Sequence, residues 1–447
     1  MKIAEEQLNI LKLATQYIDK LDSMGVDVSM SSFCYMNAQS ITPGHLKLKN
    51  LQYKRKFSLK YFFIIFRHLF SISTLYNFKI IKNDNTKLKN DYEKLIVSWG
   101  QKKDFNNEGT FLDGKFKINS KENKNILWFL NYMDDEIPEK FDHNVIIFYR
   151  DKKKLKYNFI YFLKVICKSV LKNRKSLYKV LHELSLQSQY AREVSEVINK
   201  IILSNKFRSV IMPYESQPFQ NKVFQEIKKK NKDIKTIGYN AVTQAFPSHN
   251  IYRAGAPDIL FVHGLSEINH LEKKLGWPKE KLKLIPSLNF KQEDENFFQS
   301  KIFLPFSIMS ESILISEFDN FLKNQKMKSL NLSEIRNHPY MSKSKRHIKF
   351  IKNIKNIIKK NSDKFSENSK NFTSIFFCET YAVIEALERG ATVIHICSDP
   401  VFQSYTEELW PSIKVTQISK YVFAYNLNKI GECIQLGRTD DVFSKYL

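Results

Sequence analysis

SIFFCETYAVIEALERGATVIHIC, residues Ser374 to Cys397, is the stretch on which the fold turns. An apolar run from Ser374 to Cys378 reads as a buried strand. Cys378-Glu379-Thr380 then turns into a helical segment that carries Glu385, and Gly390 stops it before a second buried strand, Thr392 to Ile396. Strand, helix and strand at this spacing make a βαβ unit with a parallel sheet. The turn brings backbone N–H groups and the Thr380 hydroxyl to a helix N-terminus, a natural seat for phosphate. Glu385 follows about a turn and a half later, where a carboxylate can accept from ribose hydroxyls. The same spacing also suits any βαβ unit in which Thr380 is simply an N-cap.

The same rhythm extends outward from this unit. Toward the N-terminus, strands are expected at Lys301 to Phe306 and Asn331 to Asn337, with helices at Ser310 to Lys323 and Lys345 to Lys360. Earlier strands are expected at Asp258 to His263 and Leu282 to Pro286, around a helix that Gly276 and Pro278 stop. A first set comprises Lys94 to Trp99, Ile126 to Leu130, Asn144 to Tyr149, Ser209 to Pro213 and Ile234 to Tyr239. Residues 154–205 read as two or three helices, and residues 1–90 as helical and irregular. The expected fold class is therefore α/β, with two Rossmann-like domains facing a cleft. The divisions are a mostly helical extension over 1–90, a first domain over 91–255, a second over 256–430, and a tail over 431–447 packing back on the first domain. Ligands of such sheets sit at the carboxyl ends of the strands.

Composition narrows the function. The 447 residues carry 71 Lys and Arg against 46 Asp and Glu, a net charge of +25, which favours an anionic partner. No helix-turn-helix, RNP or zinc-finger pattern supports nucleic-acid readout, so no nucleic-acid partner is expected. Five scattered cysteines without a CxxC pair suit a reducing cytoplasm. Neither a signal peptide nor a run of about 18 apolar residues is found; Tyr61 to Ile72 and Phe159 to Val170 come nearest. With no HxxxH, HxH or DxD cluster, no metal site is expected, and Asp134-Asp135 reads as a solvated turn. The basic segments Leu155 to Lys179 and His347 to Lys360 suit an anionic membrane surface or a solvated helix face.

Further constellations lie at strand ends. His338, fixed ahead of Pro339 after the Asn331 strand, can donate to a phosphate oxygen and stabilise a departing nucleotide. Tyr214-Glu215-Ser216-Gln217-Pro218 follows the Ser209 strand, and Glu215 is the candidate base for an acceptor hydroxyl. Asp113 and Asp104 compete for that role, and Glu215 also suits an early-helix carboxylate. Ser98-Trp99-Gly100 can admit the acceptor or the donor sugar. His249 and Arg253 can touch an acidic sugar. Ser287 and Asn289 follow the Leu282 strand, where a polar turn is the simpler reading.

A strand with His338-Pro339 and a basic helix, then a strand, turn and helix over Glu385-Ala386-Leu387, Gly390 and Val393-Ile394, resembles the GT-B glycosyltransferases. The resemblance is nearest to those using CMP-activated acidic sugars, the bacterial sialyl- and Kdo transferases. There an HP motif and a following pair of hydroxyls hold the nucleotide; this chain keeps His338-Pro339 but has Cys378-Glu379-Thr380 as its second motif. IVSWGQKKDF, ILWFLNYMDD, MPYESQPFQNKVFQEIKK and PDILFVHGLSEINHLEKKLGWPKEKLKLIPS widen the likeness, to bacterial surface-carbohydrate (O-antigen or capsule) biosynthesis proteins. The resemblance implies an inverting, metal-independent glycosyltransferase with no resident cofactor and a CMP-sugar donor. Pro339, Cys378, Glu379, Thr380, Glu385, Ser287 and Asn289 would bind the nucleotide; Glu215 and His338 would be catalytic. A lipid-linked or growing surface glycan would be the acceptor, at the cytoplasmic face of the membrane. A donor carrying UDP, GDP or dTDP, a catalytically silent scaffold of a glycan assembly complex, and a basic nucleic-acid-binding protein are the rival readings.

Overall fold

The computed structural model describes residues 2–23, 25–30, 74–83, 92–157, 167, 186–240, 245–247, 250–288, 301–324, 334–338, 341–364 and 373–437. The first helix, α1 (Lys2–Ser23), buries Ile10, Leu11, Ala14, Ile18 and Leu21 at helical spacing. Each such side chain contributes about 1.5–3 kcal/mol on burial. The strands that follow are β1 (Thr74–Lys82), β2 (Lys94–Gly100), β3 (Ile126–Tyr132), β4 (Val145–Tyr157), β5 (Ser209–Pro213), β6 (Lys235–Tyr239), β7 (Ile259–Val262) and β8 (Leu282–Leu284). Between them run α2 (Leu186–Leu203), α3 (Pro218–Lys230) and α4 (Leu265–Leu275). All eight strands form one sheet, in the order β1-β4-β3-β2-β5-β6-β7-β8. It is parallel except for the β1 edge, which pairs antiparallel with β4.

The apolar runs explain why this sheet is parallel. Leu95, Val97, Leu127, Phe129, Val210 and Met212 face one cluster, and Ile96, Trp128, Leu130 and Ile211 face another. Both faces are covered, as parallel sheets require.

The second sheet comprises β9 (Lys301–Phe303), β10 (Glu334–Arg336), β11 (Thr373–Phe377), β12 (Thr392–Ile396), β13 (Ile413–Gln417) and β14 (Val422–Leu427). Their order is β10-β9-β11-β12-β14-β13, with β14 and β13 antiparallel. Its helices are α5 (Glu311–Asn324), α6 (Lys345–Lys360), α7 (Ala382–Glu388) and α8 (Pro400–Gln403).

Three expectations are corrected here. β7 pairs onto β6 and β8 onto β7, so the change of sheet comes between Leu284 and Lys301 and not near residue 255. Alternation of strands and helices does not encode which sheet a strand joins. Residues 74–82, read as helical and irregular, form the β1 edge. The segment from Val145 continues as strand to Tyr157 where helix was expected. Of the segments noted as most apolar, Tyr61 to Ile72 and nearly all of Phe159 to Val170 lie outside the described residues. No helix among the described residues is long and apolar enough to cross a membrane.

The two sheets share one hydrophobic cluster, which holds Leu260 and Val262 of the first together with Phe376 and Val393 of the second. The carboxyl edges of the sheets meet. Phe246, beyond β6, packs on Phe402 of α8, which follows β12, with ring centroids 5.6 Å apart. Trp410 donates to the Ala245 carbonyl at 2.9 Å. The buried Gln7 of α1 donates to Val401 and Ser404, at 3.0 Å each. Residues 431–437 return to the first sheet, where Gln435 donates to His263 and accepts from Ser287. Glu388 clamps this return by accepting from the amides of Gly431, Cys433 and Ile434 at 2.5, 2.7 and 2.8 Å.

Candidate functional site

Each sheet reverses its strand order once, and a crevice opens at the carboxyl ends where it does. In the second sheet the reversal lies between β9 and β11. Cys378, the first residue past β11, has φ +54°. A non-glycine residue there costs on the order of 1–3 kcal/mol and persists only where its surroundings hold it. The support is buried. His395 of β12 lies with Nε2 2.5 Å from the Cys378 carbonyl, which can only accept, so Nε2 carries the proton. Its Nδ1 then accepts from the Tyr425 hydroxyl at 3.4 Å, and that hydroxyl accepts from the Tyr405 amide at 3.2 Å. Burial pulls the His395 pKa down to about 4, which keeps the ring in this neutral form.

The turn leaves Glu379 and Thr380 half-buried at its crest. Neither side chain takes a hydrogen bond among the described residues. Burial pushes the Glu379 carboxyl up to about 7; burial chiefly, and then the Glu379 charge, raises the pKa of the Tyr405 phenol. The alternative in which Thr380 is simply the N-cap is not met. The left-handed step at Cys378 redirects the chain, and α7 begins at Ala382 with Tyr381 as N-cap. Glu385 pairs with Arg389 one turn on, at 3.0 Å, so this carboxylate is engaged along its own helix.

His338 lies two residues past β10, and its carbonyl accepts from Met341 at 2.8 Å. Burial lowers its pKa, as does the nearby His347. β9 lies between the strands that carry the His338 and Cys378 loops. The loop after β9 bridges the gap. Phe306 meets the His338 ring edge-on at 5.3 Å, and the Met309 backbone lies close enough to Cys378 to lower its thiol pKa against the larger, raising effect of burial. Three loops thus converge on one edge. Pro339 lies outside the described residues.

In the first sheet the reversal lies between β2 and β5. Ser216, three residues past β5, has φ +53°. Gln220 stitches this turn together, accepting from the amides of Glu215 and Gln217 at 2.9 and 3.0 Å and donating to Pro213. Arg253 is buried, and its guanidinium donates to the carbonyls of Ser216 and Ile251 at 2.7 and 2.9 Å. Burial pulls its pKa down to about 10. Arg253 is therefore spent on bracing the turn, and the expectation that it meets an acidic sugar is corrected. Glu215 is half-buried, with Oε2 accepting from Gln217 at 2.9 Å and Oε1 unengaged among the described residues. Trp99 of β2 lies edge-on to Phe219, at 6.0 Å, beside the same crevice.

The rival bases are structural. Asp113 is fully buried and accepts from the Ser98 hydroxyl and the amides of Lys115 and Phe116. Asp104 accepts from the Gln101 amide, and Asp134 from the Lys102 amide. Gln101, Lys102, Lys103 and Asp134 line an open depression of about 510 Å³ beyond β2 and β3. Ser287 lies three residues past β8 of the first sheet, buried where its amide donates to Gln435 of the returning segment, and so belongs to the first sheet and not to the second, where a nucleotide role had been expected. Asn289 and His249 lie outside the described residues. No group of three or more His, Cys, Asp or Glu able to hold a metal occurs among the described residues.

Sequence reasoning missed His395, which reads as an ordinary strand residue. It also missed a buried acid, Glu267, which accepts from Asn240 and from the His263 amide beneath the returning segment. Burial pushes that carboxyl up to about 8. Glu267, three residues after Gly264 at the start of α4, is a capping carboxylate that its position alone could have signalled. No family model matches the chain, and no curated protein matches it either.

Proposed function

We propose that the chain is a glycosyltransferase of GT-B architecture that takes a nucleotide-sugar donor at the carboxyl edge of its second sheet and an acceptor from the first. One observation carries the reading. The carboxyl edges of two parallel-dominated sheets converge, and each reversal point bears a braced left-handed residue, Ser216 or Cys378, beside a carboxylate with oxygen to spare. Such strain concentrates where a loop must present groups to a ligand.

In this reading the Thr380 hydroxyl and His338 hold the donor phosphate, and Glu379 meets the nucleoside. A carboxyl titrating near neutrality can accept from ribose hydroxyls or donate to an oxygen. Glu215 faces the acceptor across the cleft. The acceptor hydroxyl attacks the anomeric carbon and loses its proton to Glu215 Oε1. The bond between anomeric carbon and phosphate oxygen breaks, and the nucleotide leaves carrying the electron pair. CMP with an acidic sugar is the preferred donor on the resemblance of the His338 loop, and the basic balance of the chain suits an anionic substrate.

Donor turnover tests the assignment. With a CMP-sugar and a glycan acceptor, Glu215→Ala is expected to lose 10²–10⁴-fold in kcat, the usual contribution of a general base. Full turnover in both Glu215→Ala and His338→Ala would remove the site from the account. Turnover with UDP-, GDP- or dTDP-sugars alone would move the donor, and none with any donor would favour a scaffold.

A further inference from the structure

α6 reads KRHIKFIKNIKNIIKK and contains no acidic residue. His347, Phe350 and Ile354 form its buried seam. Lys345, Arg346, Lys349, Lys352, Lys355, Lys359 and Lys360 are all exposed. At 3.6 residues per turn they cover about half of the helical cylinder. Surface helices usually lace such cations with acids three or four residues away, as Lys222 does with Glu226 in α3. Here none of the first six makes an ion pair among the described residues, and Lys360 lies near one acid, Asp319. Ile348 stands 54% exposed within the cationic face.

We propose that this face docks the protein on an anionic lipid bilayer. The seam is already packed, so the helix arrives folded and binding is mainly electrostatic. Six of the seven cations are lysines, which act as point charges toward a diffuse anionic surface. No exposed aromatic interleaves them, as stacking on nucleic-acid bases would require. Ile348 supplies an apolar contact at the depth of the headgroups. The buried seam, on the opposite side of the helix from this face, packs on a loop of the candidate site. His347 lies 3.0 Å from the Pro305 carbonyl, and the next residue is Phe306, 45% exposed and packed on His338. Docking on α6 therefore holds the carboxyl edge of the second sheet one helix diameter, roughly 10 Å, from the lipid surface. That this delivers a lipid-linked acceptor rests on the transferase reading; the docking itself does not.

Sedimentation of the full chain with vesicles tests it, without nucleotide. The protein is expected to pellet with vesicles one third phosphatidylglycerol, to remain in solution with phosphatidylcholine alone, and to be released by salt. Replacing Lys349, Lys352 and Lys355 by Gln removes three surface cations. At roughly fivefold per cation, the partition is expected to fall on the order of a hundredfold with Tm unchanged. Ile348→Ser is expected to weaken partition further without altering its salt dependence. Equal pelleting with neutral vesicles, an undiminished triple variant, or capture by generic RNA at concentrations too low for vesicle binding would overturn the proposal. CMP binding in solution is read separately, so the two proposals fail independently.

Discussion

Glu379→Gln is expected to stabilise the protein at alkaline pH and leave it almost unchanged in acid. Burial moves the Glu379 carboxyl from 4.5 to about 7. A raised folded pKa means that its contribution to stability is full below the unfolded value and is lost as pH rises through about 7. Each unit is worth 1.36 kcal/mol, so ionising Glu379 in the folded state costs about 3 kcal/mol, or roughly 2 kcal/mol after allowing for the solvent contact it keeps. Glutamine has the shape of the neutral acid and never ionises. Unfolding entropy of about 2.1 cal/mol/K per residue amounts to about 0.9 kcal/mol/K for a chain of this length. If the chain unfolds as one unit, the variant should melt about 2 °C above the wild type at pH 8.5. At pH 4, below the unfolded value, the two should nearly coincide. Paired thermal and urea denaturation across this range reads the difference, and the other titrating groups cancel. A variant less stable at pH 8.5, or an offset constant with pH, would show that the carboxylate is stabilised where it stands and would refute the account of an unpartnered acid.

Three further substitutions probe the frame around the site. Glu388→Ala orphans the amides of Gly431, Cys433 and Ile434. Cys433 and Ile434 are buried, and at about 1–3 kcal/mol for each buried unpaired group, urea denaturation should report a loss of about 2–6 kcal/mol. Gly264→Ala drives a Cβ into the Cys433 carbonyl. It should destabilise by about 1–3 kcal/mol, and less than additively with Glu388→Ala, because both release the same segment. His395→Phe keeps the ring but removes the donor to Cys378. It should cost about 1–3 kcal/mol in stability and weaken nucleotide binding, since the strained turn is then unsupported; unchanged nucleotide affinity would separate the turn from the site.

Much of the frame is legible in the residues, for definite reasons. Strands such as Ile126–Tyr132 are buried throughout and, Asn131 apart, read as a continuous apolar run because both faces of a parallel sheet are covered, and Gly276, at φ +75°, ends α4 where the chain needs a left-handed residue. α6 and β12 fall on the residues their patterns mark. Sheet membership is not legible, because β7 and β8 follow the same rhythm whichever sheet they join. The edge strands β1 and β13 escape notice because Lys, Thr and Asn interrupt their apolar pattern. At the site, the strand ends and their acids can be read directly. The left-handed steps at Ser216 and Cys378 cannot, because neither residue is a glycine and tertiary contacts impose the conformation. Arg253 looked like a ligand group for the same reason that it braces Ser216: a guanidinium suits any set of oxygens, and only burial decides which it meets.

Calorimetric titration of the full chain with CMP, with UDP, GDP and dTDP as comparators, bears most directly on the nucleotide site. The account predicts saturable CMP binding by the wild type, and its loss in Thr380→Arg, which fills the crest of the turn while leaving Tm unchanged. No heat with any of the four nucleotides, or CMP binding equally tight in Thr380→Arg, would contradict it.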